Sequence, residues 1–167
     1  VAAARNLAIS QASGNLIAPI DADDIWHSRR LDWQLTAMES TKLCVGVVYC
    51  WSVGIDEDDL VVLNRWVDST ATGNVLREIV VRGILQNGST PLIRRKFIEA
   101  VGGYNQKFAP SEDWQFYTAL AGVCEFAVIP RRLTAYRFRD SSASSADVVA
   151  MEGAIARTTE WIEQTWP

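Results

Sequence analysis

Histidine is almost absent from this chain of 167 residues, in which His27 is the only one. A single histidine excludes a histidine-based metal cluster, and it excludes a Ser/His/Asp triad built within the chain. The three cysteines, Cys44, Cys50 and Cys124, are isolated among apolar neighbours. An odd number at this spacing provides neither a disulfide framework nor a zinc site, so we expect reduced core residues in a cytoplasmic protein.

Basic residues are in the minority, and long apolar runs are missing. The 16 Lys and Arg residues face 20 Asp and Glu residues, which gives a formal net charge of -4. We therefore expect no nucleic-acid partner, because affinity for a polyphosphate comes largely from a basic face. No apolar run approaches the roughly 20 residues of a transmembrane helix. With 49% hydrophobic and 22% charged residues, the chain is typical of one globular domain.

A four-residue acidic string, Asp21-Ala22-Asp23-Asp24, follows a short apolar run at residues 16–20 that is typical of a buried strand. If strand geometry continues, Asp21 and Asp23 point to one side and Asp24 to the other. Two hard oxygen ligands then converge, which suits Mg²⁺ or Mn²⁺. A polar turn that caps the next helix explains the same string equally well, and at this point both interpretations stand.

Helical patterns flank the acidic string. Residues 1–12 are rich in helix formers, and Gly14 lies where a helix end favours a positive φ. After the string, Ser28 is placed to cap a second helix whose apolar residues recur at three- to four-residue steps. Helix, strand and helix in succession indicate an α/β layer protein, in which ligands bind beyond the carboxyl ends of the strands.

Two further acids, Glu112 and Asp113, precede an apolar helical stretch at residues 114–121. Ser111 as the cap and two acids in the first turn make an ordinary helix start. A carboxylate at this position is also a candidate general base, although a helix N-terminus weakens it as a base unless burial compensates. A second acidic run at residues 56–59 lies between strand-like segments at 44–53 and 60–67, and a solvated hairpin turn accounts for it.

Short motifs stand in two ordered blocks of this sequence. They are Ala4-Arg5-Asn6, Ala12-Ser13-Gly14-Asn15, Ile20-Asp21-Ala22-Asp23-Asp24-Ile25-Trp26 and Arg30-Leu31-Asp32-Trp33-Gln34 in the first block, and Asn87-Gly88-Ser89-Thr90-Pro91-Leu92-Ile93-Arg94-Arg95, Val101-Gly102-Gly103-Tyr104-Asn105 and Ser111-Glu112-Asp113-Trp114 in the second. These blocks resemble the family 2 glycosyltransferases. The first is similar to the family's A-R-N, A-x-G-E, L-D-A-D-D-x-W and K/R-L-x-x-Q strings, and the second to its strand ending in R-R, its V-G-G-F-D-E loop and its E-D-W motif. The resemblance covers about residues 1–140.

The resemblance implies a GT-A-like, Rossmann-like three-layer α/β fold with a mixed sheet. The match begins after the family's first strands, which hold the nucleotide base, so we expect an N-terminally truncated fragment. Residues 1–167 would form a single glycosyltransferase-like domain that ends in a C-terminal loop and helix at residues 141–167. That helix, expected from about residue 146 to 164, would pack on the domain or on a second copy in a homo-oligomer.

The implied activity is a metal-dependent, inverting transfer of a sugar from a nucleotide-diphosphate donor to an acceptor hydroxyl, with Mn²⁺ or Mg²⁺ as the cofactor. Asp21 and Asp23 are the implied metal residues. Asp23 is the preferred direct ligand, while Asp21 touches the ribose or shares the metal, and Asp24 caps the next helix or holds the loop by hydrogen bonds. Asp113 is the implied catalytic base, with Glu112 as its support.

Three arginines complete the expected site. Arg5, in the first helix, is a candidate contact to the donor nucleotide. The segment from Tyr136 to Ser142 resembles a Y-R-x-H-x-x-S stretch of the family, with Arg139 in place of the histidine. We therefore expect a phosphate contact by Arg137 or Arg139 instead of a metal contact by histidine.

The resemblance also implies partners and a setting. A saccharide or lipid-linked acceptor would receive the sugar in bacterial cell-wall or polysaccharide biosynthesis, in the cytoplasm or at the inner face of the membrane. The alternative is a noncatalytic fragment or relative that acts only as a binding or oligomerisation module. A phosphotransferase with Asp21 as its nucleophile fits poorly, because enzymes of that kind usually have a Thr or Val after the D-x-D motif, where this chain has Asp24-Ile25.

Overall fold

The computed structural model describes residues 1–62, 68–139 and 148–167, and twelve helices and strands form its framework. The strands are β1 (Leu16–Ile17), β2 (Ile25–Trp26), β3 (Val45–Ile55), β4 (Val61–Val62), β5 (Pro91–Arg94) and β6 (Glu125–Arg137). The helices are α1 (Ala2–Gln11), α2 (Arg30–Ser40), α3 (Leu76–Arg82), α4 (Arg95–Val101), α5 (Glu112–Ala121) and α6 (Val148–Thr165), with a 3₁₀ turn at Gln106–Phe108.

The strands form a mixed sheet in the order β1-β5-β3-β6-β2, with β4 paired to β3. At its centre, β3 is parallel to β6 and antiparallel to β5 and β4. The mixed α/β architecture expected from the sequence is confirmed. Of the helices in the described parts of the chain, none combines the length and apolarity needed to cross a lipid bilayer.

Helices cover both faces of the sheet, because successive side chains of β3 alternate between two apolar cores. Val47 and Tyr49 belong to the larger core, which packs against α5 and α3. Val48 belongs to the smaller core, which includes Met38 of α2. Within the larger core, Phe116 is fully buried, and burial of such a side chain contributes roughly 2–3 kcal/mol.

The pairing of β6 with β3 is irregular near Pro130. Cys50 pairs with Ile129 and Ser52 with Thr134, so two steps along β3 correspond to five along β6. Proline has no N–H to donate to the ladder, which is why regular pairing stops there. Regular pairing then resumes and brings Arg137 opposite Ile55 at the end of the sheet.

Helix α6 packs on the segment that leads into α5. The fully buried hydroxyl group of Thr158 lies 3.3 Å from the hydroxyl group of Ser111. The guanidinium of Arg157 donates to the carbonyl oxygen of Ala109 at 3.0 Å. The C-terminal helix therefore buttresses the start of α5, and its packing on a second copy stays a prediction.

Several local expectations were wrong. Helix α1 ends at an extended Ala12, and Gly14 is not among the glycines with positive φ. Helix α2 begins after Arg29 with no side-chain cap, so Ser28 does not cap it. Cys44 is exposed rather than in the core. Helix α4 was not anticipated, and the expectations for residues 63–67 and 141–147 lie outside the described residues.

Candidate functional site

The acidic string forms a turn rather than an extension of the strand. The N–H of Asp24 donates to the carbonyl oxygen of Asp21 at 3.1 Å, and β1 has already ended at Ile17. The condition under which Asp21 and Asp23 would point to one side, strand geometry through Asp23, is therefore not met, and the string forms a polar turn. Pro19 lies between β1 and the turn, and its missing N–H is unfavourable for continued strand pairing.

Asp21 is fixed by contacts from two distant parts of the chain. Its Oδ1 accepts a 2.6 Å hydrogen bond from Arg5, and its N–H donates to Oγ of Ser89 at 2.9 Å. A Cβ atom added to Gly88 would lie 2.8 Å from the Arg5 guanidinium, so glycine leaves room for the ion pair. Burial opposes the charge of Arg5, yet the bond to Asp21 holds the pKa of Arg5 above its ordinary value.

Asp23 and Asp24 face a different set of partners. Oδ1 of the buried Asp24 accepts a hydrogen bond from the Arg137 N–H at 3.1 Å. Asp24 therefore holds the loop by a hydrogen bond, which is one of the two roles expected for it. The carboxylate of Asp23 lies 3.3 Å from Nε of Arg139, and both side chains are partly exposed. Together with Glu57, these residues line an open cavity of about 570 Å³.

Asp113 lies in the first turn of α5, as expected. Its Oδ1 accepts from the N–H of Trp114 at 2.7 Å. Burial raises the pKa of Asp113, while the positive charge of Arg5 acts in the opposite direction. Glu112 is buried beside it and adds to the upward shift, which makes Asp113 a stronger base than an exposed carboxylate at a helix start.

Two buried tyrosines join these groups. The hydroxyl groups of Tyr104 and Tyr117 are 3.4 Å apart, and burial raises the pKa of Tyr104 to about 12. Arg5 lies over the Tyr104 ring, 5.3 Å from its centroid. Both Asp21 and Asp113 act electrostatically on Tyr104. The acidic turn and the start of α5 therefore border one polar cluster.

Sequence reasoning missed three members of this cluster, namely Asn6, Tyr104 and Tyr117. Asn6 bonds the backbone of Tyr104 twice, through Oδ1 at 2.9 Å and Nδ2 at 2.7 Å, and thereby sets the ring under Arg5. The only available signal for Tyr117 was its place four residues after Asp113, on the same face of the helix. Tyr117 and Asp113 line a small cavity of about 130 Å³ whose other walls are mainly apolar.

The carboxylates of the turn have the oxygen chemistry that a divalent cation requires. Among the residues described, no cluster of three or more His, Cys, Asp or Glu side chains could hold a metal alone. Mg²⁺ and Mn²⁺ nevertheless need only one or two carboxylates when substrate phosphates and water complete the shell. Asp23 fits that requirement better than Asp21 does. Its ion pair with Arg139, at 3.3 Å, is longer than the 2.6 Å pair of Asp21 with Arg5, and both Asp23 and Arg139 are partly exposed.

A family model described as "Glycosyltransferase like family 2" matches residues 1–153. The chain belongs to this family. An uncharacterised glycosyltransferase of Methanocaldococcus jannaschii is 25% identical over 162 residues, which are 95% of this chain and 55% of that protein. This relative is archaeal, and the expected bacterial origin stays a prediction.

Solved structures share the fold of this family 2 glycosyltransferase chain. Residues 1–349 of S. aureus TarS match with a TM-score of 0.61 and 17% identity, over 81% of this chain and 40% of that one. The same TarS segment in complex with UDP matches with a TM-score of 0.57 and 14% identity, over 96% and 50%. The GT-A-like fold is thus confirmed, and the chain spans about half the length of the relatives it matches.

The fold brings together only part of the expected site. Arg5, Asp21 and Asp113 gather around Tyr104, with Glu112 next to Asp113. Asp23 and Arg137 belong to the other side of the turn, where the side chain of Arg137 donates to protein oxygens. The catalytic, nucleotide-binding and metal-binding roles of these residues stay predictions.

Proposed function

We propose that this chain carries the metal loop and the base of an inverting glycosyltransferase that uses a nucleotide-diphosphate sugar. The observation that carries the proposal is the shared neighbourhood of Asp21 and Asp113, which both interact with Arg5 and Tyr104. Family membership and the UDP in the TarS complex of the same fold support a nucleotide donor.

The acidic turn is the proposed donor site. Asp21, held by Arg5 and Ser89, presents a fixed carboxylate to the ribose. Asp23 would hold Mn²⁺ or Mg²⁺, and such an ion, when bound, neutralises the negative charge of the departing diphosphate. Arg139 is the proposed phosphate contact, because its pair with Asp23 is long and its side chain is 46% exposed. A guanidinium matches two phosphate oxygens at once.

Asp113 is the proposed base. It removes the proton of the acceptor hydroxyl as that oxygen attacks the anomeric carbon from the side opposite the diphosphate. The new bond joins the acceptor oxygen to the sugar, and the bond between the sugar and the phosphate oxygen breaks with its electron pair on the diphosphate. Burial that raises the pKa of Asp113 improves this base at neutral pH.

The acceptor is proposed to be a saccharide or lipid-linked saccharide that approaches beside Asp113. The small cavity next to Asp113 has Ile79, Ile84 and Trp114 in its walls, which suits the apolar face of a sugar ring. With such an acceptor, the proposed reaction belongs to polysaccharide or cell-wall synthesis on the cytoplasmic side of a membrane.

Titration of UDP in the presence and absence of Mn²⁺ tests the donor site. Binding of UDP should tighten when Mn²⁺ is added to the native chain, and D23N should lose most of that gain. D58N removes the same charge from the exposed acidic turn and serves as the control. An unchanged Mn²⁺ effect in D23N would contradict the proposed metal ligand.

Transfer is tested separately with D113N, on a panel of nucleotide sugars and saccharide acceptors. D113N should bind UDP and Mn²⁺ like the native chain but lose transfer by about 100-fold or more, since a positioned base contributes about 10²–10⁴-fold. Binding without transfer by the native protein across the whole panel would instead support a noncatalytic binding module.

A further inference from the structure

Arg137, the last residue of β6, joins two acidic turns that are distant in the sequence. Its Nε donates to the carbonyl oxygen of Asp23 at 3.0 Å, and one terminal nitrogen donates to the carbonyl oxygen of Asp56 at 2.5 Å. The other terminal nitrogen bonds the carboxylate of Asp59 at 2.5 Å. Only 12% of the Arg137 side chain is exposed, so protein atoms cover most of it, and the rest borders the open cavity beside Asp23.

The backbone of Arg137 contributes to the same connection. Its N–H donates to Oδ1 of the buried Asp24 at 3.1 Å. The turn at residues 21–24 is thus held through one backbone carbonyl and one carboxylate, both bound to a single residue. Because Arg137 ends the long β6 strand, this hold is anchored in the sheet.

The turn at residues 56–59 is shaped to present Asp59. The carboxylate of Asp56 accepts from the N–H groups of Asp58 and Leu60, both at 2.9 Å. Asp59 has a φ of 64°, a conformation that Asp and Asn tolerate better than most residues do. The Asp59 side chain is 64% exposed, yet its carboxylate bonds Arg137. This acidic hairpin turn therefore has a specific partner, Arg137, beside the candidate metal loop.

We propose that Arg137 and Asp59 form a clasp that positions Asp23 for the metal ion and the diphosphate, and that Arg137 does not itself contact the donor. The inference rests on the proposed function. The clasp fixes the backbone of Asp23, so the Asp23 carboxylate is directed into the open cavity that it shares with Arg139 and Glu57. Outer groups that orient a metal ligand in this way commonly change metal affinity by about 10–100-fold.

The test compares D59N, R137K and D58N in the native chain. Asn tolerates the positive φ of position 59, so D59N removes the charge without backbone strain. Lysine keeps the charge of Arg137 but loses the planar fork that serves several acceptors. D58N makes the same change as D59N on the neighbouring residue, whose N–H bonds Asp56.

The first readout is amide hydrogen exchange of residues 21–26 without any ligand. D59N and R137K should speed exchange in this segment, while D58N should leave it as in the native chain. The second readout is the affinity for Mn²⁺ in the presence of UDP, which D59N and R137K should each weaken about 10-fold. The double variant D59N/R137K should bind Mn²⁺ no more weakly than R137K does, because both substitutions break the same interaction between Arg137 and Asp59.

Excess Mn²⁺ separates positioning from general damage. It should restore UDP binding in D59N to the native level, since the deficit is one of metal affinity. Exchange and affinity in D59N that match D58N would overturn the clasp. So would a loss of metal-free UDP binding in R137K alone, which would make Arg137 a donor contact. Neither result touches the D23N test, so the clasp can fail while the proposed function stands.

Discussion

At the scale of single residues, stability and the proposed role as a base make opposing demands on Asp113. Burial raises the pKa of this carboxyl, which means that the folded protein disfavours its charged form. A base must nevertheless be charged to accept a proton. The favourable protonated state is present in full below the ordinary aspartate pKa of about 3.9. That stability is lost as the pH rises towards the raised pKa of the folded state.

We expect D113N to be more stable than the native chain at neutral pH. Asparagine keeps the oxygen that accepts from the Trp114 N–H but carries no charge to desolvate. The gain should be about 1.4 kcal/mol for each pH unit by which the pKa of Asp113 is raised, and it should shrink towards pH 4. Urea unfolding of both proteins at several pH values measures it. A D113N variant that is less stable at pH 7.5 would contradict this account.

The residues of the candidate site were predictable to different degrees. Asp21, Asp23 and Asp113 could be named because short acidic motifs resemble those of a family. Asn6 and Tyr104 could not, because their roles come from hydrogen bonds between α1 and a loop that lies far along the chain. Such contacts depend on the tertiary fold, and no local pattern in the sequence encodes them.

At the scale of elements, α6 supports the helix that carries Asp113. Thr158 and Arg157 bond the segment just before α5, and Ile162, one helical turn after Thr158, is also buried. The position of the first turn of α5 thus depends on a helix near the end of the chain. This dependence can be measured with two substitutions of the same kind in one helix.

We expect I162A to cost about 2–4 kcal/mol in the free energy of unfolding, since it removes a buried side chain and leaves a cavity. I155A makes the same substitution at a position that is 44% exposed. Its cost in the free energy of unfolding should be less than about 1 kcal/mol, and the higher helix propensity of alanine offsets part of that cost. Hydrogen exchange in residues 108–113 should rise in I162A alone. Equal effects of the two changes would argue against support of α5 by α6.

Helices were easier to predict than the acidic turn. The sequence predicts a helix that starts at Glu112 and Asp113 and continues through residues 114–121, and α5 spans Glu112–Ala121, because apolar spacing is a local signal. The string from Asp21 to Asp24 is compatible with a strand or a turn, and the choice is made by the Ser89 hydroxyl and by Arg137. Both of these partners come from distant strands and loops.

At the scale of the whole molecule, the three cysteines report on the integrity of the fold. Cys44 is exposed, whereas Cys50, in β3, and Cys124, just before β6, are buried. Burial raises the pKa of the Cys124 thiol to about 12, which suppresses its reactive thiolate form. Accessible thiols therefore distinguish the folded chain from an unfolded one.

A thiol reagent should label one cysteine rapidly in the native chain and all three in guanidinium chloride. C44S should abolish the rapid reaction and leave the two slow ones unchanged. The count comes from absorbance with a chromogenic disulfide or from mass spectrometry. Rapid labelling of two or three sites in the native chain would be incompatible with the packing of β3 and β6.

The mixed sheet as a class could be predicted, but its pairing could not. The nearly continuous apolar run of β3 indicates a strand buried on both faces, but it does not identify the neighbouring strands. The parallel neighbour β6 follows β3 only after three helices, two strands and a 3₁₀ turn. Its uneven register with β3 is set by packing across the entire sheet.

That uneven register near Pro130 bears on how this chain should be aligned with its relatives. Arg137 reaches both acidic turns because three extra residues are accommodated between Ile129 and Thr134, as five steps on β6 match two on β3. An insertion or deletion of one residue in this interval would turn the side chain at the strand end to the opposite face. Gaps placed in this interval, more than identity at position 137 itself, would then indicate which relatives can form the clasp.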